Sequence, residues 1–297
     1  MKDSFDREIN YLRVSLTDRC NLRCKYCMPE KGIDKLKHDD ILSLEEIYEL
    51  IEIFVQLGIT KIRFTGGEPL IRHGVIDLIE RVSKLNGIRE LTMTTNGTLI
   101  KDNIAGLKNA GLNRLNISLD TLDEKKYKSI TGGGNIFSVL EGIEEAQKMR
   151  LTPIKINTVL IGGFIELMPI GEAADFAKDN FISNNEVLKS AKELIALECE
   201  DKSSPAVYYK LPNAIGKIGL ISPISCKFCK NCNRVRLTST GKLKLCLHSD
   251  REIDLRSALA EGKDVKKIIM ESILIKEEEH HLEYEKYIYK NMNQIGG

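Results

Sequence analysis

Five short stretches, residues 11–16, 60–65, 91–96, 114–119 and 154–160, alternate apolar with polar side chains, and helical patterns separate them. That order predicts a parallel sheet of βα units, because parallel neighbours need a long crossover and a helix usually supplies it. The first helix opens on the capping box Ser43-Leu44-Glu45-Glu46 and stops at Gly58; others are predicted at 74–85, 101–110 and 137–150. Parallel strands covered by helices are ordinarily apolar on both faces. Here Arg13, Ser15 and Thr17, then Lys61, Arg63 and Thr65, then Thr92, Thr94 and Asn96, then Asn116, Ser118 and Asp120, then Lys155 and Asn157 share one side. A buried unpaired charge is too costly to keep. The pattern therefore implies a curved sheet whose wet concave face holds a polar, anionic ligand; the plainer alternative is a flat sheet with that face in solvent.

The anion must be bound locally, since 44 Lys and Arg against 43 Asp and Glu leave a net charge of +1. This balance argues against a nucleic-acid surface or an anionic membrane as partner. No stretch has the length and apolarity of a signal peptide or a membrane span, so a cytoplasmic protein is expected. In that compartment eight cysteines read as metal ligands rather than disulfides. Seven fall in two clusters, and Cys199 stands alone.

The first cluster, Cys20, Cys24 and Cys27, has the spacing CxxxCxxC and offers three thiolates with no fourth. A 4Fe-4S cluster normally takes four cysteines. Three leave one iron open to a substrate atom, against the alternative of a structural zinc or thiol site. Gly66-Gly67-Glu68-Pro69 follows the second strand. In the second cluster, Cys229, Cys232 and Cys246, the ligand Cys232 is followed closely by Arg234 and Arg236, which face the same way if extended. Paired guanidiniums suit a phosphate-bearing substrate. A zinc site completed by Cys226 or His248 is the alternative, and Cys226 is also a possible fourth thiolate for a cluster.

CxxxCxYC followed by GGEP resembles the radical S-adenosylmethionine (SAM) enzymes. LRVSLTDRCNLRCKYCMP, IRFTGGEPLIR, TTNGT, LNRLNISLD, FCKNCNRVRLTSTGKLKLCL and the terminal MNQIGG together resemble the GTP 3',8-cyclases of molybdenum cofactor biosynthesis. The resemblance implies an α/β fold: an incomplete parallel βα barrel over residues 1–210 and a C-terminal iron–sulfur domain over 211–297. It implies two 4Fe-4S clusters, on Cys20, Cys24 and Cys27 and on Cys229, Cys232 and Cys246. Tyr26, Gly67, Ser118 and Met168 would bind SAM; Arg13, Arg63, Thr94, Lys155, Arg234 and Arg236 would bind GTP. Cleavage of SAM by the reduced first cluster would give a radical that takes hydrogen from C3' of the ribose, after which the sugar closes onto C8 of guanine. No residue is assigned as catalytic acid or base, and none of the five histidines pairs with a carboxylate in the sequence pattern. A flavodoxin- or ferredoxin-like donor, a monomer or homodimer, and a C-terminal Gly296-Gly297 reaching the active site are also implied. Two other readings share the cysteines: a peptide-modifying radical SAM enzyme, and an inactive iron–sulfur protein.

The segment 154–170 departs from that family. Two strand-like runs are joined by only Gly162 and Gly163, whereas parallel neighbours need a crossover of about a dozen residues. An internal deletion is expected, and the Gly-Gly link would permit an antiparallel hairpin instead of parallel neighbours. Loss of a helix should expose Ile154 and Ile156, displace Met168 and favour association. Residues 171–210 read as helix and linker.

Overall fold

A computed structural model of the chain describes all residues except 29–30, 33–35, 160–164, 172–173, 199–200, 283–287 and 297. Gly162, Gly163, Cys199 and Gly297 therefore lie outside the described residues. The centre is an open parallel sheet of β1 (Tyr11–Ser15), β2 (Lys61–Thr65), β3 (Glu90–Thr95), β4 (Arg114–Ser118) and β5 (Lys155–Asn157), each paired with the next. Between them run α1 (Leu44–Gln56), α2 (Val75–Ser83), α3 (Ile100–Asn109), α4 (Glu124–Thr131) and α5 (Ile136–Lys148).

These helices start and stop where side chains dictate. Ser43 Oγ accepts the Glu46 N–H at 3.0 Å, while Glu46 accepts the Ser43 N–H at 2.6 Å. Gly58 follows α1 at φ +98°, a conformation that costs glycine little. Ile47, Leu50, Ile51 and Phe54 form the buried stripe of α1, with the three- and four-residue spacing of one helix face. They join Leu12, Val14, Ile62, Phe64, Leu91, Met93, Leu115 and Ile117 in one core on the apolar side of the sheet.

A sixth parallel strand exists, but not at the expected place. β9 (Arg234–Leu237) pairs with the opposite edge of β1, and β10 (Lys242–Lys244) and β11 (Ile253–Asp254) extend that edge antiparallel. The run after the expected deletion makes only single bridges: Ile165 pairs parallel with Val159 and parallel with Ile221. The bridge between Val159 and Ile165 is parallel, not the antiparallel pairing of a hairpin, and the residues between them lie outside the described ones. One bridge needs no full crossover; a ladder of several residues would.

Residues 171–210 are not merely helix and linker. Besides α6 (Ala174–Asp179) and α7 (Asn184–Ser190), they contain β6 (Ile195–Ala196) and β7 (Ala206–Lys210), which form an antiparallel sheet with β8 (Ile218–Ile221). The expected domain division at 210/211 falls between two strands of this sheet. At the β5 edge Ile156 is 45% exposed, while Ile154 packs partly against the core. α8 (Leu255–Ala260) and α9 (Val265–Leu274) cover the β10 side. No helix among the described residues is long and apolar enough to cross a membrane.

Candidate active site between two cysteine triads

The first triad lies in the loop after β1. Cys24 O accepts the Cys27 and Met28 N–H groups at 2.9 and 3.1 Å, closing a tight turn, and Arg23 and Lys25 donate their backbone N–H groups to Thr131 and Ile130 at the end of α4. Burial pushes the Cys27 thiol up to about 12 and Cys24 well above its ordinary value; Cys27, Asp120 and Cys20 add to the rise at Cys24. The three thiols thus share one low-dielectric site. A metal displaces such protons and holds the thiolates, so the donor set fits an iron–sulfur cluster. Among the described residues no three His, Cys, Asp or Glu side chains gather on a single ion. Thiolates bound to separate irons of one cluster stand further apart than the ligands of one zinc.

The GGEP turn braces this loop. Gly67 donates to Thr17 O at 2.7 Å and Glu68 to Arg19 O at 2.8 Å. The Glu68 carboxylate, fully buried, accepts from Thr95 Oγ1, Leu70 N and Asn96 N. Burial raises Glu68 to about 7 in spite of these bonds. Tyr26 Oη donates to Asp120 at 2.8 Å, and Asp120, raised by burial to about 6, also accepts from Val159 N. Ser118 ends β4 opposite Asn157. Met168 packs against a cluster of Ile170, Ile288 and Ile295 close to the chain end.

Both raised carboxyls bind protons more tightly folded than unfolded, so the folded chain carries extra protons between about pH 4 and 7. Stability should fall as pH rises through that window and level off above it. For the metal-free chain the Glu68 share is up to about 3 kcal/mol. Thermal melts at pH 5 and 7.5 should show a smaller difference in Glu68→Gln than in the parent; equal differences would contradict this.

The polar face beside the triad is organised in rows by strand register. Arg236, Arg13, Arg63 and Thr92 are in-register partners, as are Arg234, Tyr11, Lys61 and Glu90, and as are Thr94, Asn116 and Lys155. Register partners in a parallel sheet point to the same side. Burial, then Arg236 and Arg63, hold Arg13 well below the ordinary guanidinium range, and burial lowers Arg236 to about 10. A guanidinium keeps its proton in a protein. These shifts therefore express lost hydration and mutual repulsion, the state that a bound polyanion relieves. Burial would raise the Tyr11 phenol, but Arg63, Arg13, Arg234 and Lys61 outweigh it. Tyr11 Oη, Thr94 Oγ1 and Asn116 Oδ1 are buried without a hydrogen-bond partner among the described residues. Lys155 Nζ donates to Tyr208 Oη at 3.0 Å, and Arg234 to Ser203 O at 2.7 Å.

All six residues expected to bind the anion lie on these rows. Lys61 was expected on this face but not as an anion ligand, and Tyr11, two residues before Arg13 on the same strand face, was not expected there. Tyr208 and Ser203 come from a segment with no readable strand pattern.

The second triad stands at the opposite end of the strands: Cys229 and Cys232 precede β9, whereas the first triad follows its parallel neighbour β1. Cys232 N donates to Cys229 O at 3.0 Å, and Cys232 leads directly into β9. Burial raises the Cys229 thiol, and its thiol neighbours are Cys246 and Cys232. Burial also acts on Cys232, but Lys276 and Arg234 outweigh it and lower that thiol. Three clustered thiols beside cations fit an iron–sulfur ligand set. Cys226 is exposed. His248 is held neutral, lowered to about 3 by burial and by His280, whose ring lies 4.9 Å away.

The chain end threads between the triads. Asn293 donates its backbone N–H to Cys27 and its amide to Asp18 O at 2.8 Å. Gly296 O accepts from Arg236 at 2.9 Å and from Thr65 at 3.1 Å. At φ +84°, with Ser15 Cβ 3.2 Å from where a Cβ would sit, Gly296 has no room for a branched side chain. Gly296→Val should lower turnover at least about tenfold through this strain, with iron content unchanged; product formation and iron assay together check it.

Residues 14–170 match the radical SAM superfamily, and residues 163–282 match Molybdenum Cofactor Synthesis C. The chain is 52% identical over 317 positions to a GTP 3',8-cyclase of Peptoclostridium acidaminophilum, covering 99% of this chain and 98% of that one. The chain belongs to the GTP 3',8-cyclase family of radical SAM proteins. A second cyclase, from Alkaliphilus oremlandii, is 48% identical over 321 positions and is covered completely, as is this chain. Against 297 residues, 321 positions leave about 24 that this family member lacks, in line with the expected deletion. Among solved structures, Streptococcus suis SuiB bound to SAM shares the fold with a TM-score of 0.53 at 16% identity, over 88% of this chain and 63% of that one.

Proposed function

We propose that this chain cyclises GTP to (8S)-3',8-cyclo-7,8-dihydroguanosine 5'-triphosphate by radical SAM chemistry, an early step of molybdopterin biosynthesis. The observation that carries the reading is the guanidinium row, Arg236, Arg13 and Arg63, on one face of strands that have one cysteine triad after β1 and the other before β9. Full-length identity to curated cyclases supports it.

Cys20, Cys24 and Cys27 would hold the cluster that binds SAM, and Cys229, Cys232 and Cys246 would hold a second 4Fe-4S cluster, which would supply an open iron for the guanine base. When bound, the first cluster and SAM supply a carbon radical for hydrogen abstraction at the ribose. The protein's own task is placement. Arg13, Arg63, Arg234, Arg236 and Lys155 would clamp the triphosphate, with Thr94 as a neutral donor, because forked guanidiniums bind phosphate bidentately. Tyr26, between two of the first triad's cysteines, Gly67, which braces their loop, and Ser118 at the end of β4 would contact SAM; Met168 would reach that pocket only from the apolar cluster at the chain end. The Asn293 to Gly296 segment excludes water from the space between the triads. A soluble one-electron carrier of flavodoxin or ferredoxin type would supply the electron, and exposed Ile156 favours a homodimer over a monomer.

Anaerobically reconstituted, reduced protein given SAM should form 5'-deoxyadenosine much faster with GTP than without, and the cyclised nucleotide should accumulate with it. Cleavage indifferent to GTP would overturn the assignment in favour of another substrate. Two assembled clusters with no cleavage would mean that the missing residues have disabled the site.

A further inference from the structure

Residues 1–13 precede both family matches, yet a buried ion pair within them reaches the second triad. Asp3 and Arg7 side chains are 0% and 5% exposed, and Arg7 Nε donates to Asp3 Oδ2 at 2.6 Å. The other oxygen of Asp3 accepts the backbone N–H groups of Phe5 and Arg7, each at 3.0 Å, so the carboxylate is fixed by its own turn. With Nε held, the outer nitrogens of Arg7 point away from that turn. One donates to Cys229 O at 3.0 Å and to Glu278 O at 2.6 Å; the other donates to Glu277 O at 2.7 Å. A single guanidinium thus joins the Cys229 turn to the loop after α9.

That loop grips the triad elsewhere. Lys276, 3% exposed, donates to Leu245 O, the residue before Cys246. The backbone N–H of His280 donates to the Cys229 thiol. Residues 276–280 therefore brace both halves of the ligand set, and Arg7 locks the brace to the chain's first residues. Arg7 lies just before β1, and one of the three carbonyls it serves, Cys229 O, also accepts the Cys232 N–H, so the guanidinium ties the turn that carries two of the thiols to the loop after α9.

We propose that Asp3 and Arg7, acting with Lys276, are positioning residues of the second iron–sulfur site, setting the separation of Cys229 from Cys246. The proposal rests on reading that triad as a cluster ligand set. Residues that orient metal ligands without touching the metal typically change affinity 10- to 100-fold when replaced.

The test uses the full chain with Cys20→Ala, Cys24→Ala and Cys27→Ala, so that bound iron reports the second triad alone. After anaerobic reconstitution this parent should hold a 4Fe-4S cluster, and Arg7→Gln or Asp3→Asn should release its iron to a chelator at least about tenfold faster. In the chain with all its cysteines, Arg7→Gln should alter the electron paramagnetic resonance of the second cluster and leave the response of the first to SAM intact. A general loss of structure would move both signals. A parent that binds no iron overturns the cluster reading and the proposal with it. A parent that binds iron, with release from Arg7→Gln and Asp3→Asn unchanged, overturns the positioning role alone. If Arg7→Gln does not fold, Asp3→Asn and Lys276→Met decide by the same two readouts.

Discussion

Gly67→Ala is expected to reduce 5'-deoxyadenosine formation by at least about 100-fold and to strip iron from the first triad while leaving the second loaded. An ideal Cβ on Gly67 would stand 2.1 Å from Arg19 O, 2.5 Å from Arg19 C and 2.9 Å from Asp18 O. All three are backbone atoms, so no flexible side chain can yield. The methyl group must push residues 18 and 19 aside by an ångström or more, and Cys20 follows directly. The hydrogen bonds from Gly67 to Thr17 O and from Glu68 to Arg19 O, which fix the loop, would break in the same movement. A displacement of about 1 Å at a reacting group can cost about 100-fold in rate. Gly216, with nothing within 4 Å of its ideal Cβ, supplies the control: Gly216→Ala should be silent. Gly67→Ala protein that keeps half of the parental rate and its full iron would show that the turn does not brace the triad.

The features easiest to read in the sequence were those governed by local rules. β1 to β4 lie within a residue or so of the expected ranges because a period of two, bounded by glycine and capping residues, leaves few alternatives. α4 carries caps in Asp123 and Gly132, but Glu124–Thr131 buries only Tyr127 and Thr131, too little for a visible stripe. β6 to β8 were illegible for a similar reason, with Ile195 and Val207 more than half exposed. Arg234 and Arg236 were read as an extended pair, but their place beside Arg13 depends on pairing across more than 200 residues, which no local pattern encodes. The stretch from Ile165 fails in the opposite sense. Its composition suits a strand, yet its neighbour in sequence is too near for a parallel ladder, and one bridge on each side remains. Docking of Gly296 was expected only from the family resemblance, and the reach of Arg7 to Cys229 was not expected at all.

Replacing Arg13 by methionine should make the ligand-free protein more heat-stable and at the same time weaken GTP binding by about 100-fold or more. In the free protein Arg13 sits in register between Arg63 and Arg236, and burial together with these neighbours disfavours its charge. An apolar side chain of similar length removes one dehydrated cation and two repulsions. A group whose charge is disfavoured by burial and like neighbours costs about 1.4 kcal/mol of stability for each unit by which its pKa is lowered, and about 1 kcal/mol raises the melting temperature of a domain this large by roughly 2–4 °C. The bound state reverses the sign. Each charge-assisted hydrogen bond to phosphate contributes about 1.5–3 kcal/mol, and a forked guanidinium makes two. Arg13→Lys keeps the charge but not the fork, and should lie between parent and Arg13→Met in affinity. Calorimetric melts with and without GTP, paired with titration of GTP, measure both arms. A methionine variant that melts lower than the parent yet binds GTP as well would show that the arginine row is scaffolding, with the triphosphate held elsewhere.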